Sequence, residues 1–270
     1  MRKPILTKNG VVAVASFFII FATIVPLYPS TIYGHANPVS YSPPANAVIN
    51  MQQQQSKSLP DKVVILFSER PEPKISYIHV INAKNERVDN NDFKITGKND
   101  REATVTLDKS KLSDWVYSVS WLVLSRNDGH ITKGTYVFNI QSQQQSQQEI
   151  ISTSQQKNDN MNIFSQLAIV DNVNLTLIIT PVNVGQNTFN VTLTDHSGAF
   201  PANIKNVILS FTNQEAGLGP IVANLNKTAQ GKFAAQGSYL SQPGNWDIKV
   251  TAQRSGAYDL NHTFEVSANT

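Results

Sequence analysis

The chain has no cysteine among its 270 residues. That single absence excludes disulfides, thiolate metal sites and cysteine nucleophiles, and leaves core packing as the source of stability. Charge is also sparse: only 15% of residues are Asp, Glu, Lys or Arg. Sustained helical periodicity is missing, whereas Asn, Gln, Ser and Thr are plentiful, which excludes helical bundles and long helical repeats in favour of short strands and polar turns. The formal charge of +3 comes from Arg2, Lys3 and Lys8, which lie ahead of every acidic residue; beyond them the chain carries nineteen basic and nineteen acidic side chains. With neither a cationic surplus nor a Lys/Arg cluster, nothing here suits a run of phosphates, and nucleic-acid binding is excluded. Of three methionines only Met51 and Met161 follow the N-terminal region, so no Met-rich stretch exists to hold a soft ion.

What is present begins with an address. Arg2 and Lys3 precede an apolar run from Val11 to Val25 that Pro26 ends, the charged start and short hydrophobic core of a secretory leader. The run is shorter than the roughly 20 residues that span a bilayer as a helix, so export is expected, with an uncleaved anchor as the alternative. Nothing further along the chain has the length and apolarity of a span. Two cleavage positions fit Ile32-Tyr33-Gly34-His35-Ala36-Asn37. A cut after Ala36 obeys the small-x-small rule and discards His35; a cut after Gly34 makes His35 the first residue of the mature chain.

Two β-rich stretches follow. The first carries expected strands over Lys62–Ser68, Ser76–Asn82, Ala103–Leu107, Trp115–Leu124 and Thr135–Ile140, each bounded by Pro, Asn, Asp or Gly. Trp115–Leu124 is dense in aromatic and aliphatic residues and free of Pro, as a central strand requires. From residue 141 to 165 Gln and Ser dominate, a composition that cannot bury enough surface to offset its ordering entropy and therefore reads as a flexible linker. Gln52–Gln55 reads as a smaller polar loop. The second stretch predicts strands over Leu175–Thr180, Thr188–Thr194, Asn206–Thr212, Lys232–Leu240, Asn245–Gln253 and Leu260–Val266, the spacing of an immunoglobulin-like sandwich. The fold class is therefore all-β: two β-sandwich, Greek-key or immunoglobulin-like domains, at residues 35–140 and 166–270, behind a leader at 1–34. Four Asn-x-Thr triplets, at Asn174, Asn190, Asn226 and Asn261, fall in the second stretch and imply surface exposure where they are used.

Five histidines are the obvious carriers of chemistry. His79 and His262 sit inside expected strands with no acidic or histidine neighbour, which is the pattern of structural residues. His196 belongs to Asp195-His-Ser-Gly198, ordinary turn chemistry. Trp246 and Phe211 read as core residues. His130 follows Asp128-Gly129 directly after the central strand, and Asp-x-His places both side chains on one side of an extended backbone. On spacing alone, Asn127-Asp128-Gly129 is equally a common turn followed by a solvated histidine.

Between His35 and Ile140 the chain resembles the CopC copper-binding domain. The resemblance is carried by His35-Ala-Asn-Pro38, Ser42-Pro-Pro-Ala45, Phe67-Ser-Glu69, Val119-Ser-Trp121, Ser125-Arg-Asn-Asp128-Gly-His130 and Gly134-Thr-Tyr-Val-Phe138, in the family's order and spacing. It implies that a mature N-terminal histidine binds Cu(II) through its amine and imidazole, completed by the Asp-x-His pair: His35, Asp128 and His130 here. It also implies that Glu69 is an additional ligand or near neighbour. Arg126-Asn127 is one residue longer than the family's usual loop, and Lys133 stands before Gly134. Only cleavage after Gly34 creates the amine ligand, so the resemblance selects that position. The second stretch is similar to YtkA-like β-sandwiches through Leu175–Pro181, Gly185-Gln-Asn187, Asn190-Val-Thr-Leu193 and Gly244-Asn-Trp246.

Two imidazoles, an amine and a carboxylate form a tetragonal N/O set that suits Cu(II), whereas Cu(I) finds no sulfur. The α-amine, ordinarily titrating at about 7.7–8.0, must be unprotonated to bind, so affinity should fall as pH falls. The resulting expectation is a secreted, periplasmic or extracellular Cu(II)-binding protein, not an enzyme. It would sequester copper or pass it to a membrane copper transporter or a cuproenzyme, with membrane attachment only through an uncleaved leader. Two alternatives come from other classes. One is a histidine-brace copper oxidase or monooxygenase, against which Asp128 would fill the position oxygen activation needs open. The other is a metal-free surface interaction module.

Overall fold

The computed structural model describes residues 35–51, 59–113, 115–142 and 162–269. The expected leader, the Gln52–Gln55 loop and most of the expected linker lie outside the described residues. Sixteen strands and one 3-10 turn account for the regular structure, with no α-helix among the described residues.

In the first domain β1 (Pro38–Ser42), β2 (Val48–Met51), β3 (Lys62–Phe67), β4 (Tyr77–Asn82), β5 (Lys94–Thr96), β6 (Glu102–Thr106), β7 (Trp115–Leu124) and β8 (Ile131–Ser142) form two four-stranded sheets. Their orders are β1-β3-β6-β5 and β2-β8-β7-β4. β7 lies inside its sheet, as its composition requires. Period-two alternation decides which side chains are enclosed. Val63, Ile65 and Phe67 from one sheet meet Tyr117, Val119, Trp121 and Phe138 from the other in a single core. Phe67 packs edge-on to the Trp121 indole, their rings 5.3 Å apart. A methyl group at Gly134 would lie 2.7 Å from that indole, so only glycine lets β8 cross it.

The second domain contains β9 (Phe164–Val170), β10 (Val173–Thr180), β11 (Gly185–Thr194), β12 (Ile204–Asn213), β13 (Leu218–Ala229), β14 (Lys232–Leu240), β15 (Gly244–Arg254) and β16 (Leu260–Ala268). They form one continuous eight-stranded sheet, β16-β15-β12-β13-β14-β11-β10-β9, in place of two separate sheets. β13 makes the continuity: its first part pairs with β12 and its last residues pair with β14. The sheet wraps one core that contains Leu175, Phe189, Leu209, Phe211, Trp246 and Phe264, and the edge-on pair Phe164–Phe264 brings its two edge strands together. Trp246 and Phe211 are buried, with the Trp246 indole N–H donated to the Gln242 carbonyl at 3.0 Å.

The two domains are docked. The outer face of β7 and β8 lies against the second domain, and Ala83, Val116 and Val137 belong to that domain's core cluster. Around this apolar contact the Ser118 hydroxyl donates to Ser241 at 2.7 Å, the Asn139 amide to Ser238 at 2.8 Å and the Gln242 amide to the Asn82 carbonyl at 2.6 Å. All six residues are buried. The chemistry therefore sits on the part of the first domain that this contact leaves uncovered.

Candidate metal centre

The turn between β7 and β8 runs from Ser125 to His130. The Ser125 N–H donates to the His130 carbonyl at 2.9 Å, and the Gly129 N–H donates to the Ser125 carbonyl at 3.0 Å. Gly129 adopts φ +72°, a left-handed conformation that glycine takes without a steric penalty. The backbone reverses within six residues and leaves Asp128 and His130 on one rim.

His35 reaches the same rim from 93 residues away. It is positioned by its chain neighbours: Ala36 is fully buried, and the Ala36 carbonyl accepts from the Thr132 hydroxyl at 2.7 Å. The Ser68 hydroxyl donates to the His35 carbonyl at 2.9 Å, and the Asn37 N–H donates to Ser68 at 3.0 Å. β3 and β8 thus hold the segment from both sides and leave the imidazole outside.

The result is a compact donor group. His35 Nδ1 lies 3.0 Å from Asp128 Oδ2, and His130 Nδ1 lies 3.1 Å from the same oxygen. The imidazole centroids are 4.8 Å apart, and one ligand atom from each of the three residues lies within 4.8 Å of the others. Side-chain exposure is 51% for His35, 65% for His130 and 21% for Asp128, so a solute can reach the nitrogens directly. The His130 backbone N–H, donated to Asp128 Oδ1 at 3.0 Å, is the largest influence holding the Asp128 carboxyl well below the usual carboxylate range. Hydrogen bonds from both imidazoles lower it further, against the cost of desolvation. An ionised carboxylate only accepts, so each imidazole presents a hydrogen at Nδ1.

These spacings fit a metal ion. Donors at right angles on a first-row ion with bonds of about 2.0–2.1 Å lie about 2.9 Å apart, close to both imidazole–carboxylate separations. An ion would enter where the two Nδ1 hydrogens now lie.

Glu69 is placed differently from the other three. Its carboxylate accepts the Ser125 hydroxyl in a very short hydrogen bond, and the same hydroxyl oxygen accepts from the Asn127 and Asp128 N–H groups at 3.2 and 3.4 Å. Ser125 is 1% exposed. Glu69 therefore reaches the rim through the serine that shapes it. The additional loop residue is accommodated alongside: Arg126 pairs with Glu72 at 2.9 Å, and its N–H donates to the Arg70 carbonyl. Ser68, Ser125 and Thr132 were not singled out by the sequence as positioning residues. Ser68 and Ser125 lie within the family motifs, while nothing local distinguished Thr132.

The remaining histidines stay apart from this group. His79 lies in β4 stacked on Tyr77, and His262 lies in β16 edge-on to Phe264. His196 lies in a turn whose Asp195 carboxylate caps the Ser197 and Ala199 N–H groups.

The first β-sandwich thus brings two imidazoles and a carboxylate together on one exposed rim. Residues 43–141 match the family model of the CopC domain. Among solved structures, CopC from Methylosinus trichosporium OB3b is 28% identical, with 40% of this chain and 96% of that one covered and a TM-score of 0.34. PcoC, a methionine-rich copper resistance protein from Escherichia coli, is 22% identical, with coverage of 40% and 99% and a TM-score of 0.30. No curated protein matches the sequence.

Proposed function

We propose that the protein binds Cu(II) outside the cytoplasm through His35, Asp128 and His130, and sequesters the ion or passes it to a membrane copper transporter or a cuproenzyme. The observation that carries this reading is the convergence of both imidazoles on one Asp128 oxygen at the exposed rim. The CopC domain assignment and the copper-resistance role named for PcoC point the same way. Nitrogen and carboxylate donors without sulfur favour the oxidised ion. Glu69 acts through Ser125, fixing the turn that carries Asp128. The α-amine of His35 becomes a further donor when the leader is cut after Gly34. Burial of Ala36 and the bond from Thr132 to its carbonyl support that position, since a cut after Ala36 would remove a core residue. The second domain, read as a YtkA-like sandwich, braces the face of the metal-binding sheet that its docking covers.

Titration of the metal-free mature protein with Cu(II), followed by electron paramagnetic resonance, tests the reading. One equivalent should bind with nitrogen hyperfine coupling, and reduction by ascorbate should release it. Any protonated donor must first lose its proton, so affinity at pH 5 should lie well below that at pH 8. Equal affinity at both pH values contradicts the ligand set. Oxidation of a substrate by the loaded protein, faster than by free copper, would favour the histidine-brace alternative.

A further inference from the structure

The four Asn-x-Thr triplets are not used by the metal centre, and the structure divides them into two kinds. Residues 35–142 contain ten asparagines and no such triplet, whereas residues 162–269 contain fourteen asparagines and all four. Asn174 and Asn190 lie within inner strands β10 and β11, each opposed on both sides: Asn174 by Ile169 and Thr194, Asn190 by Ile178 and Ala234. Both are only half exposed. Asn226 and Asn261 are exposed, as are Thr228 and Thr263 two residues on. Each borders a hairpin: Asn226, in inner strand β13 and opposed by Ala234, precedes the turn from β13 to β14, and Asn261, in edge strand β16, follows the turn from β15 to β16.

The strand register places these two asparagines together. Leu225, Val207, Ala252 and Leu260 form one row across β13, β12, β15 and β16, and all four are buried. Asn226 and Asn261 are the next residues on the two outer members of that row, so both side chains leave the opposite face, offset by two residues along the strands because β13 and β16 run antiparallel. Three strand spacings and that offset separate them by about 16 Å. The docked end of β13 is marked by the Gly219 N–H, which donates to Thr135 of the first domain at 3.2 Å. Asn226 lies seven residues further along, about 23 Å away at the rise of a strand.

We propose that Asn226 and Asn261 are N-glycosylated, and that Asn174 and Asn190 are not. This rests on the proposed export, because the acceptor triplet is used outside the cytoplasm. The donor is an oligosaccharide on a polyisoprenyl phosphate or pyrophosphate. The asparagine Nδ2 forms a bond to the anomeric carbon, the bond from that carbon to the lipid phosphate oxygen breaks, and the phosphate leaves with the electron pair. The amide gives up one proton to the transferring enzyme's base. Asn261 must first release its amide hydrogen bond to the Asp259 carbonyl, one bond on an exposed hairpin.

Peptide mapping by mass spectrometry of the protein purified from the cells that produce it tests this, with the N-terminal peptide read in the same run. Sugar increments are expected on the peptides carrying Asn226 and Asn261, and not on those carrying Asn174 and Asn190. T228A and T263A should each remove one of the two increments. Unmodified Asn226 and Asn261 in a chain that starts at His35 overturns the glycosylation while export stands. Both sites unmodified in a chain that retains its leader overturns the glycosylation and the cleavage after Gly34. Increments at Asn174 or Asn190 overturn the selection by exposure.

Discussion

The metal rim and the contact between the domains are built from similar short polar side chains, but burial gives them different roles. At the domain contact, Ser118 is 1% exposed, Asn139 5%, Ser238 1% and Ser241 0%, and each finds its partner across the boundary. Water cannot replace a lost partner there, so the groups act as specific adhesive. On the rim, Asp128 and the two imidazoles face solvent and satisfy one another through hydrogens that a cation can displace. The first arrangement resists exchange, and the second permits it.

Removing a donor should separate the two regions most clearly. H130A is expected to weaken Cu(II) binding by more than about 100-fold, because loss of an outer partner of a ligand alone typically costs 10–100-fold. The metal-free stability should change by no more than about 0.5 kcal/mol, since the imidazole is largely exposed. Calorimetric titration and a denaturant melt check both quantities. Wild-type affinity in H130A would remove His130 from the centre.

The next effect concerns Ser125, which belongs to the rim but is buried like a contact residue. S125A deprives Glu69 of its donor and two backbone N–H groups of their acceptor. We expect about a 10–100-fold loss of copper affinity through misplacement of Asp128. E69Q keeps an oxygen that can accept from Ser125 and should lose much less. If E69Q instead matches H130A, Glu69 is a direct ligand and its role through Ser125 is wrong.

At the domain contact, S118A should leave the Ser241 hydroxyl buried without its partner and cost about 1–3 kcal/mol. The double variant S118A/S241A should cost less than the sum of the singles, and copper affinity should stay unchanged in all three. A double-mutant cycle by chemical denaturation reads the coupling, which for groups in contact is about 0.5–3 kcal/mol. Strict additivity would mean that the hydroxyl pair contributes nothing to docking.

The same contrast explains what could be read from the sequence. β10 and β12, each with one enclosed face, declared themselves through alternation, and β7 through its density of aromatic and aliphatic residues. β9 exposes Leu167 and Ile169, β13 begins with Leu218-Gly-Pro220 and ends in Asn226-Lys-Thr, and β5 has three residues, so pattern reading missed them. β1 and β2 were missed too, because Pro38 opens one and the other has only four residues, of which Ile49 and Met51 pack on the core. His35, Asp128 and His130 were found through family motifs, because spacing alone allowed an ordinary turn. Ser118 and Asn139 lie on the outer face of β7 and β8, and no local signal showed that a second domain would cover them.

The smallest expected effect lies in the acid response of the metal-free protein, where two aspartates of the first domain can be set apart. Asp89 has 0% side-chain exposure; burial raises its carboxyl, but the paired Arg87 and the Val80 and Asn91 N–H groups outweigh that and lower it. Asp128 is lowered first by the His130 N–H. A carboxyl depressed in the folded state contributes stability that is fully present above its unfolded value, about 3.9, and is lost as pH falls through the folded value. Both groups should therefore steepen the loss of stability below about pH 4. D128N should flatten part of this acid limb and lower stability at pH 7, where the contribution of the ionised carboxylate is fully present. D89N should lower stability at pH 7 as well, because it leaves the Arg87 cation facing a buried neutral amide. Denaturant midpoints measured from pH 7 to pH 2 for both variants check this, and an acid limb in D128N as steep as in the wild type would show that the depressed carboxyl of the rim does not contribute to folding.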